Sequence, residues 1–129
     1  MAKILFAQNL APSIYEFVVD APLVAHKCKP GQFVMIRTDE YSERIPLTIA
    51  DFDREKGTIT LIVQAVGNTT KDLCENYKEG DDILDIAGPL GQPSHMKNFG
   101  TVVVVGGGIG VAPVYPIARA YHELGNKVI

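Results

Sequence analysis

"TVVVVGGGIGVAPVYPIARAYHELGNKVI", residues 101–129, is the stretch of this sequence that decides the fold. Four consecutive valines at 102–105 predict a strand buried on both faces, as in a parallel sheet. Glycines follow at 106, 107, 108 and 110, and they allow a tight turn. Apolar residues then recur at the spacing of one helix face: Val114, Ile117, Ala118 and Tyr121. We expect Pro113 and Pro116 in or near the first turn of this helix, Gly125 to end it, and residues 127–129 to begin a second strand.

The glycine loop opens onto the start of that helix. Free N–H groups and the positive end of the helix dipole suit a phosphate or pyrophosphate there. A tight turn that binds nothing explains the stretch equally well when it is taken alone. The dinucleotide fingerprint G-x-G-x-x-G would need glycine where Val111 stands, and the Walker pattern lacks its lysine. The pattern present is G-x-G-x-G-x-A-P, residues 106–113.

Composition limits the classes of partner. The chain has 129 residues, of which 47% are hydrophobic and 21% charged, as in ordinary globular proteins. With a net charge of -3, the chain lacks the excess positive charge that binds nucleic acid. Its apolar runs are far too short to span a membrane. We therefore expect neither nucleic acid nor a membrane as a partner. The start, MAKILFAQNL, lacks the apolar region of a signal peptide. Cys28 and Cys74 are isolated; one disulfide is compatible with them, but reduced thiols in the cytoplasm are the expectation.

Residues 1–98 consist mainly of short predicted strands separated by turn signals such as K-P-G, E-K-G and E-G-D. The six strands are expected at 3–9, 14–20, 32–37, 46–52, 58–66 and 83–87, with one helical stretch at 70–77. This arrangement predicts a small antiparallel barrel at 1–98, followed at 99–129 by the first βαβ unit of an α/β domain. The fold class is therefore mainly β. Because one such unit cannot cover both faces of a parallel sheet, we expect the second domain to be truncated.

Three stretches of the barrel half attract attention, and each has an ordinary structural explanation. ERIPLTIAD (43–51) reads as a strand with a surface ion pair, which is the favoured interpretation without context. AVGNTTKDL (65–73) reads as a short helix with Thr69 or Thr70 as its N-cap, and its start is a second place for an anion. AGPLGQP (87–93) reads as a strand ending in a rigid turn, with no chemistry of its own.

The order of these motifs is more specific than any one of them. R-x-P-L-T on a strand, G-x-T-T at a helix start, G-P-L-G, and then G-G-G-I-G-V-A-P resemble the motifs of the ferredoxin–NADP reductase superfamily. Within it, the whole chain is most similar to the N-terminal part of the electron-transfer subunits of dihydroorotate dehydrogenase. Their relatives, the small subunits of NADH-dependent reduced ferredoxin:NADP oxidoreductase (sulfide dehydrogenase), resemble it equally.

The resemblance implies roles for individual residues. Leu47 and Thr48 would lie at the flavin ring of FAD, with Thr48 as the catalytic residue. The strands beside the cofactor would contribute Pro46, Ile49, Ala50, Gln64, Ala65 and Val66. Gly67, Thr69 and Thr70 would hold the FAD pyrophosphate, and the NAD(P) loop would be shaped by Gly106, Gly108, Gly110 and Pro113.

One residue departs from the superfamily pattern. An arginine usually stands three places before the flavin-contacting Ser or Thr, where this chain has Ile45. Arg44 stands four places before, so it would start on the opposite face of the strand and must bend round to reach a phosphate. Arg44 is retained as a candidate cofactor-binding residue.

The function implied is that of a flavoprotein electron-transfer subunit, working between NAD(P)H and an iron–sulfur partner in a larger catalytic or iron–sulfur subunit. Relatives carry a cysteine-rich [2Fe-2S] loop near the C-terminus, and such a cluster needs about four ligands. Two cysteines cannot supply them, so we expect no cluster, nor any other metal site, in this chain. His26, His95 and His122 are scattered and form no catalytic set. Two alternatives stay open: a non-catalytic domain that holds FAD or binds a partner, and a ligand-free barrel.

Overall fold

The structure is a computed structural model that describes all residues, 1–129. Seven antiparallel strands form one sheet in the order β6-β1-β2-β5-β4-β3-β7. Their bounds are Ala2–Ala11 (β1), Ile14–Asp20 (β2), Phe33–Arg37 (β3), Ile45–Asp53 (β4), Thr58–Gln64 (β5), Asp82–Ile83 (β6) and Asp85–Leu90 (β7). The edge strands β6 and β7 are separated along the chain by Leu84 alone. The two edges therefore meet, and the sheet curls into a nearly closed barrel.

Three α-helices accompany the barrel: α1 (Pro22–Lys27), α2 (Asn68–Asn76) and α3 (Val111–Glu123). A 3-10 turn at Gly108–Gly110 leads directly into α3. The short strands β8 (Thr101–Val102) and β9 (Lys127–Val128) pair in parallel on either side of this helix. The predicted fold class, a small antiparallel barrel followed by a βαβ unit, is confirmed. The division of the chain at residues 98 and 99 stays a prediction.

The barrel core follows from the alternation of apolar residues along the strands. On β5, Ile59, Leu61 and Val63 are at most 1% exposed, as the sequence predicted. Leu73 and Cys74 of α2 and Val24 and Ala25 of α1 join the same cluster of 17 buried residues. Both helices before α3 thus pack against the barrel. None of the helices is long and apolar enough to cross a membrane.

The expectation of a single helical stretch in the barrel half was wrong, because α1 was missed. Its six residues show no helical period, and its last turn is held by a distant side chain. Arg54 donates to the carbonyl oxygens of Ala25 (3.0 Å), His26 (3.0 Å) and Cys28 (2.9 Å). Likewise, the predicted strand 83–87 is divided into β6 and β7, because the N–H of Leu84 turns to the carbonyl of Thr38.

The predicted strand at 102–105 is buried less than expected. Its parallel pairing continues beyond β8, since the Val104 N–H donates to the Ile129 carbonyl at 2.8 Å. Val103 and Val105, however, are 67% and 86% exposed, because no second layer packs on their side of this two-stranded sheet. The expectation of burial on both faces was therefore wrong for the chain as it stands.

Helix α3 ends as predicted, and its two prolines lie in or near the first turn, as expected. Gly125 has a φ of +91°, and the Gly125 and Asn126 N–H groups donate to the carbonyls of His122 and Tyr121, which is a Schellman motif. Pro116 lies at the sixth position of the helix, just after the first turn. Its side chain is buried, so packing rather than capping accounts for it.

The link between the barrel and β8 is tied to the end of α3 by one buried amide. Asn126 is 3% exposed and uses both ends of its side chain. Its Oδ1 accepts the N–H groups of Phe99 (2.7 Å) and Gly100 (3.1 Å). Its Nδ2 donates to the carbonyls of Lys97 (3.1 Å) and Tyr121 (2.9 Å). Asn126 thereby connects the segment that precedes β8 to the end of α3.

Candidate functional site

Barrel and glycine loop meet in a cleft of about 380 Å³, named here the strand–loop cleft. Its barrel side is formed by Pro46, Leu47, Thr48, Ile62, Gln64, Val66 and Thr70. Its other side is formed by Ile109, Gly110, Ala112 and Pro113. Residues predicted from two separate halves of the sequence therefore line one concave surface.

Strand β4 supplies the floor of this cleft. Thr48 pairs with Phe33 of β3, is half-buried, and makes no side-chain hydrogen bond within the protein. Ile49 is 2% exposed and lies in the barrel core, so it can offer only its backbone to a bound group. Thr48 is thus the free hydroxyl of the cleft.

A β-bulge follows at Ala50, since the pairing shifts between Ile49–Leu61 and Asp51–Thr60. The extra residue re-aims the strand, which is a common use of bulges beside functional sites. Ile49 points into the core, whereas Asp51 is half-exposed and faces α3. The sequence gives no signal for this bulge, because no glycine or proline marks it.

The start of α2 borders the same cleft. The N-cap is Gly67, so the expectation of Thr69 or Thr70 at that position was wrong. Thr70 instead supports the turn from inside: its Oγ1 accepts the N–H groups of Gly67 (2.8 Å) and Val66 (3.1 Å). The first intrahelical bond runs from Lys71 to Gly67, which leaves the N–H groups of residues 68–70 without helical partners. These donors and the helix dipole suit an anion.

The glycines of the loop have different roles. Gly108 has a φ of +56° with open space where a side chain would stand, so it provides both the turn and access to the backbone. A Cβ on Gly106 would lie 2.9 Å from Cγ2 of Val114 and 3.2 Å from Cα of Val111. Gly106 is therefore needed for close packing on α3. Gly107 and Gly110 have open space and ordinary φ values, so the loop backbone is uncovered there.

Arg44 lies outside the strand–loop cleft. Its Nη2 is 3.3 Å from Oδ2 of Asp85, an atom that Arg37 also contacts at 2.8 Å. The expectation that Arg44 starts on the opposite face of the strand and bends round to a phosphate stays a prediction. An exposed ion pair contributes only about 0–1 kcal/mol, so Arg44 can leave Asp85 for a phosphate at little cost.

A second, more apolar cleft of about 550 Å³ lies on the other side of the glycine loop. Two predicted residues line it, Ala50 and Gly108. The β1–β2 hairpin contributes Leu10, Ala11 and Ile14, which the sequence reasoning did not assign to a site. Leu10 is 48% exposed, and the sequence of β1 gives no alternating pattern that would have marked it as a site residue.

The remaining predicted residues are not brought into either cleft. Ala65 packs against the core, and its N–H donates to the Ser13 carbonyl at 2.8 Å. The Thr69 side chain is only 8% exposed and borders a separate hollow with Asp39 and Glu43. Gly67 lies at the rim, between Val66 and Thr70.

Groups with a clearly shifted pKa lie away from both clefts. Burial raises the pKa of the Cys74 thiol to about 11, and it also raises the pKa of Cys28 above its ordinary value. Burial likewise raises the pKa of Tyr77. Both thiols are free and protonated at neutral pH. The strand–loop cleft has no acidic, basic or thiol side chain in its lining; it offers a hydroxyl, backbone N–H groups and apolar walls, whereas the second cleft includes the carboxylates of Glu16 and Asp51.

No protein-family model matches the chain. A dihydroorotate dehydrogenase B (NAD(+)) electron transfer subunit homolog of Thermotoga maritima is 49% identical over 120 residues, which cover 93% of this chain and 42% of that protein. The structure of an NADH-dependent reduced ferredoxin-NADP oxidoreductase, determined in a study of flavin-based electron bifurcation, matches with a TM-score of 0.96 and 46% identity. That match covers 99% of this chain and 46% of the other.

More distant structures share the fold alone. The ferredoxin reductase of carbazole 1,9a-dioxygenase has a TM-score of 0.84 at 23% identity, over 98% of this chain and 40% of that one. The chain spans about half the length of the curated relatives that it matches. The chain is therefore similar, over nearly its whole length, to part of a dihydroorotate dehydrogenase B electron transfer subunit homolog and to part of an NADH-dependent reduced ferredoxin-NADP oxidoreductase, and it shares the fold of ferredoxin reductases.

Proposed function

We propose that this chain is the FAD-binding part of a flavoprotein subunit that passes electrons between NAD(P)H and an iron–sulfur partner. The observation that supports it best is the strand–loop cleft. There the P-L-T segment of β4, the start of α2 and the glycine loop, three motifs separate in sequence, line one surface. The stability of a ligand-free barrel would not require these three motifs to lie on one surface.

The residues present suit FAD in three respects. Leu47 and the 71%-exposed Val66 offer apolar surface for a ring. Thr48 offers a hydroxyl that has no partner in the protein. The start of α2 offers three N–H donors for a pyrophosphate. We propose FAD over FMN because α2 and the glycine loop give one pyrophosphate position each to the flavin and to the nicotinamide nucleotide.

Bound FAD would supply the redox chemistry, which is hydride acceptance from NAD(P)H and one-electron transfer. The chain positions the reactants. Thr48 orients the ring through a hydrogen bond, and Thr70 keeps the turn at Gly67 closed so that the α2 donors stay aligned. Gly108 and Gly110 keep the loop backbone open for the nicotinamide nucleotide, and Pro113 borders the cleft at the start of α3.

The partner is proposed to be a larger catalytic or iron–sulfur subunit, because the relatives are named as electron-transfer subunits. A cytoplasmic location is proposed from the two free thiols. We propose that any [2Fe-2S] cluster of the complete subunit is bound by residues other than 1–129. Cys28 and Cys74 are 0% and 5% exposed in the barrel core, where they cannot ligate iron at a surface loop.

Cofactor extraction tests the proposal. The protein that contains this chain is expected to be yellow and to release FAD, identified by mass, after denaturation. Release of FMN alone would contradict the assignment of α2 to a pyrophosphate. A yellow protein that NADH and NADPH both fail to bleach would instead favour a non-catalytic domain that holds FAD.

A further inference from the structure

Helix α3, which carries the glycine loop at its start, packs mainly on strand β4, which carries Thr48. The two elements run side by side in the same direction. At one end, Thr48 and Ala112 border the strand–loop cleft. At the other end, Asp51 of β4 and Arg119 of α3 form an ion pair.

The spacing along the two elements matches. Three residues of strand, from 48 to 51, span at most about 10 Å because of the bulge at Ala50, and seven residues of helix, from 112 to 119, span about 10 Å. The Arg119–Asp51 contact therefore fixes the register of α3 on β4. Because the loop is continuous with α3, the same contact fixes where the loop stands relative to Thr48.

The neighbours of Arg119 interact both with the flat face of its guanidinium group and with its positive charge. Its Cζ is 5.1 Å from the ring centre of Phe52 and 5.8 Å from that of Tyr115. Phe52 is held in turn by Arg54, whose Cζ is 4.7 Å from the ring centre. Glu123 lies 3.9 Å away and is largely exposed, so it adds little. Aromatic stacking combined with a carboxylate is a setting in which lysine does not replace arginine.

We propose that Arg119 is a positioning residue: through Asp51 and Phe52 it sets the distance between the glycine loop and the flavin edge at Thr48. The inference rests on the proposed function. A displacement of about 1 Å between reacting groups can cost about a hundredfold in rate, so a contact of this kind matters far beyond its own strength.

The test uses the complete FAD-loaded protein with the variants Arg119→Gln, Arg119→Lys and, as a matched control, Glu123→Gln. We expect Arg119→Gln to keep its FAD while the limiting rate of flavin reduction at saturating NAD(P)H falls about tenfold, with the dissociation constant for NAD(P)H little changed. The charge-transfer absorbance of the stacked nicotinamide and flavin rings should weaken in parallel. Glu123→Gln should match the parent in both measurements.

A second readout needs no cofactor. In the FAD-free protein, Arg119→Gln should speed hydrogen exchange in residues 106–110 and in the first turn of α3, and leave β1–β3 unchanged. Parent-like exchange there, or a parent-like limiting rate, would overturn the inference. If Arg119→Gln loses its flavin or fails to fold, Arg119→Lys tests the inference instead. Lysine keeps the positive charge but lacks the planar guanidinium group. A parent-like limiting rate in that variant refutes the role, and a fall supports it.

The two proposals can fail separately. If NAD(P)H does not reduce the flavin of the parent protein, the proposed function is wrong. The hydrogen-exchange measurement then tests by itself whether Arg119 positions the glycine loop.

Discussion

Oγ1 of Thr70 accepts the backbone N–H of Gly67 at 2.8 Å and donates back to the Gly67 carbonyl at 3.1 Å. Because Gly67 is the N-cap of α2 and has no side chain, this hydroxyl supplies the bonds that close the first turn. The anion position proposed at the start of α2 therefore depends on a side chain from inside the helix.

Replacement of Thr70 by valine keeps the shape and removes the hydroxyl. We expect the protein to lose about 1 kcal/mol of stability and FAD affinity to fall about tenfold, since the loosened turn misaligns the N–H donors. Thr70→Ser keeps the hydroxyl and should behave as the parent in a fluorescence titration with FAD. Equal FAD affinity for the valine and serine variants would remove the start of α2 from the binding site.

Thr48→Val removes the free hydroxyl of the strand–loop cleft without changing its shape. Flavin binding should largely persist, while reduction by NAD(P)H slows about tenfold if the hydrogen bond forms mainly in the transition state. Anaerobic stopped-flow measurement of the flavin absorbance gives this rate. A parent-like rate would exclude Thr48 from the catalytic site.

Gly108→Val is expected to abolish reduction by NAD(P)H and to leave FAD bound. The φ of +56° at Gly108 disfavours a β-branched residue, and the open space beside it is where the nucleotide is proposed to lie. Gly80→Val is the matched control, because Gly80 also combines a positive φ (+95°) with open space but lies in a distant turn. Loss of flavin with retained NAD(P)H affinity in Gly108→Val would reverse the assignment of the two binding regions.

Burial of Cys74 predicts a pH dependence of stability. Its pKa in the folded protein is raised from an ordinary value of 9.0 to about 11, so the folded state favours the protonated thiol. This contribution is complete below pH 9 and is lost as the pH rises toward 11, by about 2 kcal/mol. Urea unfolding of the parent and of Cys74→Ala across that range measures it. Identical pH dependence in both proteins would show that the thiol does not titrate as stated.

The sequence predicted the elements whose signals are local. Alternation along 58–64, the turn glycines and the glycine stop at Gly125 all correspond to the structure, because each reflects the conformation of a few neighbouring residues. Motif order indicated some of the segments that share a surface. Thr48, Val66 and Pro113 were predicted from separate stretches and line one cleft.

Features that depend on distant contacts were missed. Helix α1 is completed by Arg54, which reaches back to Ala25 from the turn between β4 and β5. The bulge at Ala50 and the pairing of Asp51 with Arg119, 68 positions away, leave no local pattern. The predicted burial of residues 102–105 failed for a related reason, since the burial of a strand depends on the layers packed around it.

The central claim is that this chain holds FAD where NAD(P)H can reduce it. Anaerobic titration of the purified complete protein with NADH and with NADPH, followed by its visible spectrum, tests that claim most directly. We predict a flavin spectrum that one or both nucleotides bleach and that air restores, with Gly108→Val retaining the spectrum and losing the bleaching. A protein that stays colourless after incubation with excess FAD would contradict the account.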